Sequence, residues 1–166
     1  MTPNISRILV PLDFSAYSDT ALRYATTLAS RLGASLDLLN VVESPVPLGS
    51  WTGEIYVPNM PELHENLVAE AQDRLDACRG TALAESVPAS ATVRIGHPAA
   101  TIVEYANEQR SDLIVLGTHG RTGLAHLLMG SVAEKVLRLA PCPVLTVRDT
   151  VWTTQAAVTE RAASVA

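Results

Sequence analysis

The sequence predicts a single α/β domain: one open, doubly wound sheet of five parallel strands with helices on both faces. Three observations lead there. Short apolar runs alternate with longer stretches of helical spacing in the order β-α-β-α-β-α-β-α-β, the pattern of parallel strands joined by right-handed crossovers. The second run, Ala34 to Val42, is apolar on both faces, as a strand covered from two sides must be. The composition is 48% hydrophobic but only 4% aromatic, which gives the aliphatic interior that parallel sheets use, and 166 residues are enough to bury it.

The first strand spans Arg7 to Leu12. Pro11 has no N–H to give a ladder, so pairing ends there and Asp13 stands at the strand's carboxyl end. Ser15 is placed to cap the first helix, with Asp19 set against its dipole. Ala21, Leu22, Ala25, Leu28, Ala29 and Leu32 recur at helical spacing before Gly33 stops the helix. After the second strand, Glu43 to Met60 carries Pro45, Pro47 and Pro58 with Trp51 and Tyr56. A connection this long in a small domain reads either as a lid over a binding site or as an insertion without a role.

Pro61 opens the second helix, whose buried stripe is Leu63, Leu67, Ala71, Leu75 and Cys78, and Gly80 is expected to end it. A cysteine inside such a stripe reads as a core thiol. Ala91 to Ile95 is the third strand. Gly96-His97-Pro98 then turns into a third helix, with Pro98 at its first position and Ile102, Val103 and Ala106 on its apolar side. Leu113 to Leu116 is the fourth strand, Val132 to Ala140 the fourth helix, stopped by Pro141, and Pro143 to Val147 the fifth strand. Residues 149–166 turn Thr/Ala-rich with weak periodicity, so the domain is expected to span 1–148 and to leave a frayed or loosely docked tail.

The chemistry concentrates after the fourth strand. Gly117, Gly120, Gly123 and Gly130 are four of the chain's nine glycines, and they fall between an apolar strand and a helix. Glycines let the chain turn with its N–H groups exposed, and a helix N-terminus adds free donors and partial positive charge, so the arrangement points to phosphate. Ser131 reads as the N-cap, and Glu134 three residues on completes a capping-box pattern. Neither a G-x-x-x-x-G-K-[ST] loop nor a G-x-G-x-x-G after the first strand is present, which disfavours a P-loop and a dinucleotide site.

The ordered motifs together resemble the ATP-binding branch of the universal stress protein family. They are Ile8-Leu-Val-Pro11-Leu-Asp13-Phe-Ser15, Gly96-His-Pro-Ala99, Ser111-Asp112-Leu-Ile-Val-Leu-Gly117, Gly117-x2-Gly120-x9-Gly130-Ser131, and Cys142-Pro-Val-Leu-Thr-Val147. The resemblance runs from about Arg7 to Arg148. It implies strand order 3-2-1-4-5, where alternation alone would also allow a flavodoxin-like order. With that order, the winding reverses between strands 1 and 4, and ligands in open α/β sheets bind at such a point.

The expected nucleotide-binding residues are then Pro11, Leu12, Asp13, Val41, Gly117, His119, Gly120, Gly130, Ser131 and Val132. Asp13 would accept from a ribose hydroxyl or an adenine amine, or else help cap the first helix. The resemblance gives Val41 to adenine and His119 to a basic position of the phosphate loop. Arg121 is either a phosphate contact or a solvated surface charge. His97 and His126 read as turn or surface residues, and no metal site is expected from side chains alone. Mg²⁺ or Mn²⁺ would arrive with the nucleotide.

The resemblance implies a cytoplasmic ATP-, ADP- or AMP-binding stress-response regulator that acts through occupancy. It also implies a homodimer through Pro143 to Val147 and a client protein of unspecified identity. The alternatives are a slow ATP hydrolase or phosphotransferase at the same site, and an interaction module that binds no nucleotide. Against an enzyme, no second carboxylate, Lys or Gln stands at a spacing that would orient an attacking water. The net charge of −5 speaks against nucleic acid. No run approaches the roughly 18 apolar residues of a membrane span. The opening Met-Thr-Pro-Asn-Ile-Ser-Arg has no signal-peptide layout. Cys78 and Cys142 lack CxxC or zinc spacing and are expected to be free thiols.

Overall fold

In the computed structural model of the chain, residues 4–43, 60–119 and 129–148 are described. Within them the elements run β1 (Arg7–Pro11), α1 (Ala16–Leu32), β2 (Ser35–Val42), α2 (Met60–Ala84), β3 (Ala89–Ile95), α3 (Pro98–Glu108), β4 (Leu113–Gly117), α4 (Ser131–Leu139) and β5 (Val144–Val147). The five strands form one sheet in the order β3-β2-β1-β4-β5, and every pair is parallel. The winding therefore reverses between β1 and β4. The segment 44–59, the glycine-loop residues 120–128 and the tail 149–166 lie outside the described residues, and with them the expectations of a lid or insertion and of a frayed or loosely docked tail.

Period-two alternation sorts the strand side chains into two cores. Ile8, Val10, Leu36, Leu38, Leu113 and Val115 face one way and pack with Ala21, Ala25 and Ala29 of α1 and Leu75 and Ala82 of α2. Leu9, Leu39, Ile114 and Leu116 face the other way and pack with Ile102, Tyr105 and Ala106 of α3 and Ala133 and Val136 of α4. Small residues on α1 let it lie close to the sheet, and removal of the branched strand side chains from water is the main stabilising term. Both cysteines are free, and burial pushes each thiol up from its ordinary value, so neither is a ready thiolate at neutral pH.

Local signals set most helix ends. Ser15 caps α1, its hydroxyl accepting from the Ser18 N–H at 3.3 Å, and Gly33 closes it in the left-handed conformation (φ 67°). Pro98 opens α3 as its first residue. Two expectations are corrected. Gly80 does not end α2, which continues to Ala84 before Ser86 takes a left-handed φ of 62°. Ala82 and Val87 are fully buried beyond that glycine, and their burial outweighs the roughly 1 kcal/mol that an interior glycine costs. Leu67 also leaves the predicted buried stripe of α2, at 36% exposure, and Leu32, at helical spacing on α1, is 49% exposed.

Asp112 ties the amino ends of β1 and β4 together. One carboxylate oxygen accepts from the Ser6 N–H (2.9 Å), the Ser6 hydroxyl (2.8 Å) and the Arg7 N–H (2.9 Å), and these bonds, led by Ser6, hold the carboxyl below its ordinary value. A depressed folded-state pKa stabilises the fold above the unfolded value and is lost as pH falls through the folded one. Asp112→Ala is therefore expected to lower stability at pH 7. The gap to the parent should narrow as pH falls below about 4, where the unfolded carboxylate titrates. Urea unfolding of both proteins at pH 7 and pH 3 measures it, and an equal gap at both would remove the ionised carboxylate from the account.

Candidate functional site

The carboxyl ends of β1, β2 and β4 and the amino ends of α1, α3 and α4 surround one cavity of about 290 Å³ at the reversal point. Its volume lies near the lower end of the roughly 300–1,000 Å³ usual for small-molecule clefts. Its apolar floor includes Leu39, Val41, Ile102 and Leu116, and its polar lining includes Asp13, Asn40, Thr118, His119 and Ser131.

At the β1 exit, the chain turns sharply. Phe14 adopts a left-handed φ of 63°, and the Asp13 carboxylate accepts from the Ser15 N–H at 3.0 Å and the Ser15 hydroxyl at 2.6 Å. Asp13 thus braces the first helix cap and lines the cavity at once. Asn40 fixes the same joint from β2. Its side-chain amide donates to the Leu12 carbonyl at 2.6 Å, while the Leu12 N–H donates to the Leu39 carbonyl at 2.8 Å.

Alternation along β2 decides where the Val41 backbone points. The Leu39 carbonyl faces β1, where it accepts from Leu12, and the Val42 carbonyl faces β3, where it accepts from Gly96. Val41 shares the parity of Leu39, so its N–H and C=O face the β1 side, beyond the point where β1 pairing stops at Pro11. A donor and an acceptor are thereby presented to the crevice, with the Val41 side chain packed on the α3–α4 core beneath them.

The amino end of α4 forms the opposite wall. Here the capping expectation is corrected: Gly130, not Ser131, is the N-cap, with φ −71° and ψ 152° and no side-chain cap bond. The Gly130 carbonyl accepts from the Glu134 N–H at 3.0 Å and so closes the first turn, which makes Ser131 the first helical residue. The Gly130 N–H is also committed, donating to the Thr118 carbonyl at 2.8 Å and pinning the two ends of the glycine loop together. The donors that α4 offers the cavity are the amides of Ser131, Val132 and Ala133, which begin the helix without intrahelical acceptors. His119 stands at the loop entrance, its Nδ1 3.1 Å from the Thr118 hydroxyl and its ring 5.2 Å from that of Tyr17.

Gly117 lines the cavity, yet its missing side chain faces elsewhere. A Cβ there would lie 2.9 Å from the backbone carbon and oxygen of Tyr17, so packing of α1 against β4 requires the glycine. Of the expected site residues, Pro11, Leu12, Asp13, Val41, Gly117, His119, Gly130, Ser131 and Val132 line this one cavity; Gly120 and Arg121 lie outside the described residues. Sequence reasoning missed Asn40, Thr118, Pro98 and Ile102. Asn40 carried a signal, being with Asp37 one of two polar residues inside the mostly apolar run 36–42, whereas Ile102 looked like any core isoleucine. Among the described residues no group of three His, Cys, Asp or Glu is placed to hold a metal ion, and no helix is long and apolar enough to cross a membrane.

Fold and site define a doubly wound parallel α/β domain with a cleft at its switch point and a helix amino end as its polar wall. The chain belongs to the universal stress protein family, which matches residues 4–148. It is 36% identical over 146 residues to universal stress protein YxiE of Bacillus subtilis, covering 86% of this chain and 99% of that protein. It is 37% identical over 147 residues to universal stress protein MJ0531 of Methanocaldococcus jannaschii, covering 86% and 81%. The solved structure of UspA from Lactobacillus plantarum superposes with a TM-score of 0.77 at 28% identity, covering 89% and 100%. Two more distant structures share the fold: a universal stress protein in complex with cAMP (22% identity, TM-score 0.63) and one from Archaeoglobus fulgidus in complex with dAMP (21%, 0.59).

Proposed function

We propose that this protein binds an adenine nucleotide, ATP or its di- or monophosphate, in the switch-point cleft and acts in the cytoplasm as a stress-response regulator through occupancy of that cleft. One observation carries the reading: a single cavity is lined by the crevice-facing Val41 backbone, the Asp13 carboxylate and the amino end of α4. The Val41 edge offers adenine a donor and an acceptor, with Ile102 and Leu116 as an apolar floor. Asp13 offers the ribose an acceptor. The first amides of α4 offer phosphate three donors and the positive end of the helix dipole. The nucleotides bound by the two distant relatives above motivate adenine in particular. Gly120 and Arg121 belong to the phosphate side of this proposal, with Mg²⁺ or Mn²⁺ as a companion of the phosphates.

The proposal includes a homodimer. β5 ends the sheet, and Leu145 on it is 37% exposed. An apolar edge strand invites pairing, and pairing with its own copy about a two-fold axis closes the edge.

Calorimetric titration of nucleotide-stripped protein with ATP, with and without Mg²⁺ and with GTP as control, is the test. The expected result is ATP binding on the order of micromolar, about 8 kcal/mol of binding free energy, and weak GTP binding. The same preparation should sediment as a dimer. No heat with any nucleotide would sink the reading.

A further inference from the structure

We propose that Arg74 of α2 and Phe14 form a clamp that positions the Asp13 carboxylate in the cleft; this rests on reading the cleft as a nucleotide site. The motivating oddity is Phe14 itself. A bulky side chain at a φ of 63° is rare, because its Cβ crowds the backbone, and Gly or Asn would fit that turn at less cost. Something outside the turn must hold it. The Phe14 ring packs against the core shared by α1 and α2, and the Arg74 guanidinium lies over it, 4.1 Å from the ring centroid. That is stacking distance for a cation–π contact, and the planar guanidinium suits a ring face better than an ammonium does.

The consequence falls on the two neighbouring residues. Asp13 lines the cavity, Phe14 points into the α1–α2 layer, and Ser15 caps α1. Three consecutive side chains can face three directions only because the middle residue takes the left-handed kink. If the ring is released, Phe14 can relax toward an ordinary φ. The 3.0 Å and 2.6 Å bonds from Ser15 to the Asp13 carboxylate then lose their geometry, and the carboxylate is no longer presented to a ligand. Arg74 thus acts through Phe14 and Asp13 as a positioning residue on the far layer from the cleft.

The test uses the full chain in two independent measurements. In the unliganded protein, hydrogen exchange of the Ser15 amide reads the turn directly, and Arg74→Met should speed it while Arg74→Lys restores much of the protection. In titrations with ATP, Arg74→Met should weaken binding about two- to fivefold, the scale of an exposed cation–π contact, and Arg74→Lys less. In an Asp13→Asn background Arg74→Met should add little, since both changes act on one carboxylate. Unchanged ATP affinity in Arg74→Met, or an equal loss with and without Asp13, overturns the clamp. A parent protein that binds no nucleotide overturns the functional reading instead. The Ser15 amide then judges the clamp alone, and unchanged exchange in Arg74→Met refutes it.

Discussion

Gly130→Val is expected to abolish nucleotide binding and to leave the fold intact. The backbone at Gly130 (φ −71°, ψ 152°) is extended and open to any residue, β-branched ones included, so the substitution brings no conformational strain. Its two backbone bonds, to Thr118 and from Glu134, do not involve the side chain and survive. Glycine is a fair N-cap and valine a poor one, which should cost about 1 kcal/mol of stability and no more. The effect on the ligand is of another order. Gly130 lines the cavity immediately before the free amides of Ser131, Val132 and Ala133, and a branched side chain there takes space that a phosphate needs to reach them. Affinity for ATP should fall at least a hundredfold, about 2.7 kcal/mol, in the calorimetric titration, with a circular-dichroism melt close to that of the parent. A variant that binds ATP normally would take the amino end of α4 out of the site.

The sequence revealed the framework because the framework is made of short-range signals. Pro11, Ser15, Gly33 and Pro98 each act on their own backbone, so each element end they control was predictable. Gly80 and Ser131 show where local signals lose. At Gly80 the burial of Ala82 and Val87 carries the helix past a residue that would ordinarily stop it. At Ser131 the Gly130 carbonyl already closes the first turn, so the hydroxyl comes one position too late to cap.

The site was legible where a residue's chemistry is unusual for its place, as with Asp13 at a strand end or glycines between strand and helix. It was illegible where the contribution comes from position alone. Val41 and Ile102 look like core residues in sequence, and only the sheet order turns the Val41 amide toward the crevice and sets Ile102 beneath it. The Arg74–Phe14 contact joins residues sixty positions apart on elements whose packing no motif encodes.

Gly117→Ala is expected to do the opposite of Gly130→Val: to destabilise the fold more than it disturbs the chemistry of the cleft. The two glycines bracket one loop and belong to one sequence pattern, which treats them as equivalent; the structure gives them different work. Gly117 needs no special φ, so the reason for glycine is space. An added Cβ would meet Tyr17 backbone carbon, backbone oxygen and Cβ, all at 2.9 Å, closer than real contacts of this kind allow. Backbone yields less readily than the tip of a flexible side chain, so relief requires α1 to move away from β4. The Tyr17 ring against His119 and the Ser15 cap two residues earlier move with it. Overpacking of this kind costs about 1–3 kcal/mol. That should lower the melting temperature by roughly 2–4 °C per kcal/mol in a domain of this size. Chemical denaturation of the parent and of the alanine and valine variants at position 117 measures the cost, with valine the worse. An alanine variant as stable as the parent would show that α1 can shift without penalty. It would remove close packing against Tyr17 as the reason for glycine at 117.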